Sequence, residues 1–426
     1  MTVDPRVRER PMAASEAMFV DPGTPMVLGH TLTGPLDTAA LEHAWQVLLD
    51  RHPVLAARCL PTATGYTLRI DPDLPRPRLD TALGREEHEE AAGAPFAVGA
   101  PLVRAAILPQ AAQRWDLYLT VHHAIADGTS ALSLLARLWR TYADLAAGGG
   151  PGPSPSGAVL CAPVEDHFRA RFTTADIEAY LLDRATRMKA LDPLRLAPDG
   201  PDATGHTGAH VRRIALSPGQ CTRLLALVRD HRLAPHALAC GIILTALRTA
   251  ADPTPGTRAL TCMSAIDLRP RMSPPLPRES VVMAAAVTEA VAEVADDADP
   301  VGVGRQVWDQ IRETVRTGDA GRAIAAMPQL MAEARAHPEA AAPMSVVVSN
   351  LSTRSAGLVL PAGLASTEPW GYAPAPGPVP AVYLSGHEGR TTTLTLAVPR
   401  AHYTAGRARQ LAEGIERVAA RLLGAR

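Results

Sequence analysis

Two adjacent histidines, His122 and His123, stand three residues ahead of Asp127-Gly128, at the end of the run Arg114-Trp115-Asp116-Leu117-Tyr118-Leu119-Thr120-Val121. Imidazole is the side chain whose ordinary pKa lets it accept and return a proton near neutrality. A carboxylate four residues beyond His123 can fix the setting of an imidazole or pair with a cation, and Asp-Gly suits a tight turn. The residue types and spacing therefore fit general-base chemistry, with one imidazole taking the proton and Asp127 holding the arrangement.

The element that must position this pair is the strand before it. Side chains alternate between the faces of a strand. Trp115, Leu117, Leu119, Val121 and His123 share one parity; Asp116, Tyr118, Thr120 and His122 share the other. His123 then falls at the edge of an apolar face, where desolvation favours the neutral imidazole that can act as a base. His122 points the other way and suits local hydrogen bonding. Gly128 permits backbone angles or close approaches that a Cβ would block, and Thr129 or Ser130 is placed to cap the next helix. Taken singly, a buried histidine and an Asp-Gly turn are ordinary structural features; the combination after such a strand favours a site only together with the family resemblance that the same residues carry.

Rival chemistries fare worse. Neighbouring histidines on opposite strand faces are poorly placed to share an ion, and zinc ordinarily takes at least three protein ligands, so no metal is expected. There is no G-x-S-x-G elbow and no glycine-rich phosphate loop after a strand. The five cysteines (Cys59, Cys161, Cys221, Cys240, Cys262) are scattered without CxxC spacing and read as reduced, mostly buried thiols.

Around the motif, strands are expected at Met26 to Thr33, Val54 to Leu60, Tyr66 to Ile70 and Leu102 to Leu108. Helices are expected at Leu36 to Arg51, capped by Asp37 or Thr38, at Glu86 to Ala92 and at Thr129 to Leu145. The Gly/Pro/Ser run 148–157 reads as a linker. It divides the chain into residues 1–147, which carry the histidines, a crossover at 148–164 and a larger part at 165–426. In the larger part helices are expected at Ala175 to Ala190, Pro218 to Arg232, Pro235 to Ala250, Val303 to Arg316 and Gly406 to Leu423. Strands are expected there at Val211 to Leu216, Ala259 to Ile266, Val281 to Thr288, Met344 to Ser349, Val379 to Ser385 and Thr391 to Val398. This alternation gives an α/β class with α+β layering.

With 426 residues the chain has room for two cores. A net charge of -1 gives no reason to expect a nucleic-acid partner. No apolar run reaches the roughly 18–20 residues of a membrane span, and Met1 to Pro11 lacks the apolar centre of a secretory signal; the expected location is cytoplasmic.

His122-His123-xxx-Asp127-Gly128 resembles the HHxxxDG motif of the condensation-domain superfamily, which includes chloramphenicol acetyltransferase-like enzymes and stand-alone polyketide-associated acyltransferases. The openings Arg10-Pro11-Met12-Ala13-Ala14-Ser15-Glu16-Ala17-Met18-Phe19 and Ala44 to Leu55, ending in "RHPVL", resemble the stand-alone members. Ile266-Asp267-Leu268-Arg269-Pro270-Arg271 is similar to a "DLRPR"-like segment, and Val346 to Ser352 to an "SNLG" segment in which Ser352 replaces the glycine. His52, within "RHP", reads as structural.

The resemblance implies two chloramphenicol acetyltransferase-like subdomains in a V with a tunnel at their junction. His123 would be the base, Asp127 a mainly structural partner of an arginine for which Arg269 is a candidate, and His122 and Gly128 motif residues. Ser349 and Asn350 are weaker candidates for the tunnel, or simply a polar strand end. The implied reaction carries an acyl group from a phosphopantetheine thioester, on coenzyme A or an acyl carrier protein, to a small-molecule alcohol, with no bound cofactor. An amine acceptor is the close alternative, and a non-catalytic carrier-binding module is a second; retention of His123 argues against the latter. The absence of an attached adenylation or carrier domain favours the stand-alone reading.

Overall fold

Apolar runs along the chain resolve, in a computed structural model, into the strands that follow. The structure describes residues 7–81, 90–150, 160–189, 191–201, 208–337, 344–351, 358–387 and 391–424. In chain order the strands are β1 (Arg8–Pro11), β2 (Pro25–Thr33), β3 (Arg58–Thr62), β4 (Gly65–Ile70), β5 (Leu79–Asp80), β6 (Val103–Ala111) and β7 (Arg114–His122). They continue with β8 (Ala209–Leu216), β9 (Arg258–Asp267), β10 (Ala285–Val294), β11 (Val346–Asn350), β12 (Ala365–Tyr372), β13 (Ala381–His387) and β14 (Thr391–Pro399).

The chain forms two compact units. The first gathers Met1–His167, Arg269–Ala284 and Arg354–Gly371; the second gathers Phe168–Leu268, Ala285–Thr353 and Tyr372–Arg426. The sequence reading placed one division, at 148–164. Here two later segments return to the first unit, because their partners lie there: β12 joins the edge of β2, and Arg269 meets Asp127. Part of the linker, residues 151–159, and most of the helix expected at Glu86 to Ala92 lie outside the described residues.

In the first unit a five-stranded sheet runs β12-β2-β7-β6-β5, beside a small sheet β1-β4-β3. Strand β7 is central and antiparallel to both β2 and β6. A central strand loses solvent on both faces, and from Asp116 to His122 every β7 residue is buried. The polar parity is therefore satisfied internally. Thr31 Oγ1 donates to Asp116 at 2.8 Å, Thr120 Oγ1 donates to the Ala92 carbonyl at 3.2 Å, and the Tyr118 ring meets Trp370 edge-on. Gly29, opposite Tyr118, lets Trp370 in: a Cβ there would lie 1.7 Å from the indole. Helix Thr38–Arg51, capped by Asp37 on the amides of Ala39 and Ala40, packs on helix Gly128–Ala146, which in turn contacts β2 and β7.

The second unit holds a six-stranded sheet, β10-β9-β11-β13-β14-β8, in which β11 is parallel to both its neighbours. Helices Pro218–Asp230, Pro235–Ala251, Pro300–Thr317 and Ala405–Leu423 contribute to its core. Helix Pro235–Ala251 is buried without interruption from His236 to Arg248, so its apolar character reflects a core position. Among the described residues no single helix is long and apolar enough to cross a bilayer.

Two expected strands are corrected. Over Val54 to Leu60, Pro53 opens a 3-10 turn, Pro53–Ala56, and extended structure starts only at Arg58; proline fixes its own φ and suits a first helical position. The strand expected at Val281 to Thr288 begins at Ala285 and runs to Val294. Ahead of it, the backbone of Ser280, Val282 and Ala284 bonds to side chains instead of a neighbouring strand.

Candidate active site

Strand β7 delivers the histidine pair into a turn that begins as soon as the ladder ends. The His122 amide donates to the Leu102 carbonyl at 2.9 Å and the His123 amide to the Thr24 carbonyl at 2.9 Å; the Ile125 amide then closes on the His122 carbonyl at 3.1 Å. The tight turn is thus built at the histidines, and Asp127-Gly128 serves another purpose. Asp127 is the N-cap and Gly128 the first residue of helix Gly128–Ala146, so capping falls to Asp127 and not to Thr129 or Ser130. Gly128 is not among the glycines with positive φ, so the special angles expected of it are not used.

The two imidazoles are set for different work. His122 is 2% exposed. Its Nδ1 accepts from the Ala124 amide at 3.1 Å, which leaves any proton on Nε2, and the Phe96 ring lies 5.2 Å away. Burial first, then the charges of His123 and Arg104, drive its pKa down to about 4. It is a neutral structural group. His123 is half-buried. Its Nδ1 lies 2.9 Å from the Ala126 carbonyl, an atom that can only accept, so Nδ1 carries the proton. Nε2 then presents a lone pair, and among the described residues nothing takes it. Desolvation lowers the His123 pKa, opposed by backbone hydrogen bonds and the charge of Asp127. Phe19 stacks on the ring, with centroids 4.2 Å apart and planes 11° from parallel.

Asp127 does not touch either imidazole by a hydrogen bond. Its carboxylate takes Arg269 through two nitrogens, at 2.7 and 3.0 Å, the Ser130 amide at 2.9 Å and the Ala284 amide at 3.0 Å. Arg269 also donates to Ser130 Oγ at 2.7 Å and to the carbonyls of Ser280 and Val282. Both charges are buried. A buried pair with this many hydrogen bonds is costly to break from one side. The network fastens residues 269–284 to the start of the helix that follows the histidines.

The other candidate residues stand on different elements. His52 accepts from Arg137 at 3.0 Å, and burial with two arginine neighbours lowers its pKa to about 4; it is part of the packing between helices. Ser349 and Asn350 end β11 in the second unit, in register with Tyr383 and Leu384 and half-buried. Ser352 lies outside the described residues. Cys59, Cys221, Cys240 and Cys262 are buried and Cys161 is exposed, all as free thiols; burial pushes Cys59 up to about 12 and Cys240 upward as well, against thiolate chemistry. Nothing in the sequence singles out Phe19, because a contact across 104 residues leaves no local signal.

Residues 25–156 match a family model described as "Condensation domain", and residues 205–404 match one described as "Phthiocerol/phthiodiolone dimycocerosyl transferase C-terminus". The two matched segments liken the chain to the condensation-domain superfamily of acyltransferases. A phthiocerol/phthiodiolone dimycocerosyl transferase of Mycobacterium leprae is 26% identical over 305 residues, 67% of this chain and 69% of that one. The protein of the same name in Mycobacterium tuberculosis H37Rv is 24% identical over 330 residues, 72% and 74% of the two chains. Among solved structures, polyketide synthase associated protein 5 from Mycobacterium tuberculosis superposes with a TM-score of 0.76 at 20% identity, covering 97% of this chain and 98% of that one. The first condensation domain of the CDA synthetase gives 0.74 at 17% identity, with 98% and 96% covered. These structural likenesses establish the fold, with the two chloramphenicol acetyltransferase-like units that the motif implied.

Proposed function

We propose that the protein transfers an acyl group from a thioester, carried on coenzyme A or on the pantetheine arm of an acyl carrier protein, to a hydroxyl acceptor, with His123 Nε2 as the base. The observation that carries this reading is the hydrogen bond from His123 Nδ1–H to the Ala126 carbonyl. It fixes the tautomer and leaves Nε2 as the acceptor on a ring held neutral by desolvation. As the acceptor oxygen attacks the thioester carbonyl carbon, its proton passes to Nε2. When the tetrahedral intermediate collapses, the carbon–sulfur bond breaks and Nε2 returns the proton to the departing thiolate. The thioester brings its own activation, so positioning and one base suffice and no acyl-enzyme forms. Asp127 supports this through the fold, by capping the helix after the turn and holding Arg269. Hydroxyl acceptors are favoured over amines because the curated relatives are named for transfer to phthiocerol or phthiodiolone.

Intact-mass spectrometry on a panel of acyl carrier proteins and acyl-CoAs, with and without candidate alcohols and amines, tests it. Acyl loss that needs both acceptor and His123 supports the reading. A stably acylated enzyme formed with donor alone, or transfer untouched by His123→Ala, overturns it.

A further inference from the structure

We infer that Phe19 is the positioning residue for His123: its ring fixes the imidazole plane and keeps water from that face, so that Nε2 stays aimed and neutral. This deepens the proposed function and rests on His123 acting there as the base. A hydrogen bond at Nδ1 fixes one point on the ring; by itself it leaves the imidazole free to tilt about that bond. A second, planar contact removes the tilt, and Phe19 supplies it at 4.2 Å and 11°.

The segment that carries Phe19 is tied down along its length, as a positioning device must be. Helix Ala14–Ala17 is preceded by Arg10, whose guanidinium grips Glu16 through two nitrogens, each at 2.8 Å. Glu16 reaches back to the Ala13 amide at 3.1 Å, and the Ser15 amide donates to buried Glu165 at 2.8 Å. Beyond the helix the chain folds on itself: the Thr24 amide donates to the Phe19 carbonyl at 3.1 Å and the Gly23 amide to the Val20 carbonyl at 3.0 Å. Gly23 has a φ of 57°, and a Cβ there would lie 2.2 Å from the Phe96 carbonyl oxygen, so the reversal requires glycine. The Tyr66 hydroxyl donates to Asp21 in the same turn. One residue after Gly23, the Thr24 carbonyl receives the His123 amide at 2.9 Å. The segment therefore holds His123 twice, by its backbone at Thr24 and by its ring at Phe19.

A ring face attracts a cation as well as excluding water. Burial is the leading cause of the lowered His123 pKa and Phe19 covers one face of the ring, so opening that face to water raises the imidazole pKa. Among the described residues, Phe19, the Ala126 carbonyl and, through space, Asp127 face His123; His122 lies beside it in the chain and is itself lowered.

The test compares the full-length wild type with Phe19→Leu and with Phe19→Tyr, which keeps the ring. Nitrogen-15 NMR of histidine-labelled protein, with His123 assigned by its absence in His123→Gln, reads the tautomer and pKa directly. Steady-state kinetics reads kcat and KM, and thermal unfolding reads stability. For Phe19→Leu the expected results are a higher His123 pKa, a mixed tautomer signal, and kcat down about 10- to 100-fold with donor KM little changed and the melting temperature retained. Phe19→Tyr restores tautomer, pKa and kcat. An unchanged His123 tautomer and pKa in Phe19→Leu overturns the inference, and so does a kcat loss that merely follows a fall in melting temperature. If His123→Ala proves fully active while the NMR changes occur as expected, the proposed function fails and the positioning of the ring stands.

Discussion

Each unit of this protein places a desolvated histidine beside its sheet, His123 in the first and His236 in the second, and the two rings differ in what they leave open. In the second unit His236 opens helix Pro235–Ala251, where Nε2 meets Ser264 Oγ at 2.8 Å and lies 3.5 Å from Cys240 Sγ. Its Nδ1 is buried without a partner, and burial alone brings its pKa down to about 4. In the first unit His123 has a lowered pKa for the same leading reason. The difference lies in what each ring offers: His123 is half-buried, with Nδ1 bound to a carbonyl and Nε2 open, whereas His236 is buried and spends Nε2 on Ser264. A neutral imidazole is common wherever burial is deep. A usable lone pair with a fixed tautomer is rarer, and the turn after β7 supplies it.

The sharpest way to break this comparison is to remove both rings separately and measure transfer. His123→Ala should lose about 10²–10⁴-fold in kcat, and His236→Phe should leave the rate near wild type; equal losses would erase the distinction. Next in size is the support beneath the turn. Asp127→Ala takes the carboxylate from the buried Arg269 guanidinium, which should cost about 3–5 kcal/mol in denaturant unfolding, and a loss below about 1 kcal/mol would show that the pair is not what fastens residues 269–284.

Acidity sharpens the contrast further. His52, His122 and His236 are each lowered from 6.5 to about 4, so between those values the unfolded chain binds protons that the native protein refuses. Stability should then fall as pH drops from about 6.5 towards about 4, by an amount on the order of several kcal/mol, and fall again in the alkaline range, where thiols of the unfolded chain ionise and the buried Cys59 and Cys240 do not. Over the same range the activity should persist below pH 6.5, until His123 itself protonates at its lowered pKa. An acid limb in kcat centred above 6.5 would contradict the desolvated base. The smallest effect expected is that of His236→Phe on stability, about 1–3 kcal/mol, because Ser264 loses a buried partner, together with a shallower pH slope.

Much of this was legible in the chain. The strand before the histidines, its alternating parity, the Asp37 cap and the helix after Asp127 all follow from local pattern, and local pattern survives folding. What the pattern could not carry were contacts made at long range. Asp116, Tyr118 and Thr120 share the polar parity, which by itself suggests a wetted face; the structure buries them, because Trp370 and the segment around Ala92 cover that side. Pro53 redirects what looks like a β run, and the backbone of residues 280–284 is drawn away from a ladder by Ser130 and Asp127. Phe19 meets His123 only after the whole opening segment has folded back.

The placement of β12 has a consequence for biosynthesis. The edge partner of β2 and the cation opposite Asp127 are encoded far downstream of the histidines, so on the ribosome the first unit cannot be finished until residue 371 has emerged. Until then the nascent chain carries an uncovered strand margin, open to pairing with its neighbours on a polysome. An excised fragment of residues 1–167 would inherit the same defect permanently, and supplying β12 as a separate peptide should relieve its tendency to aggregate.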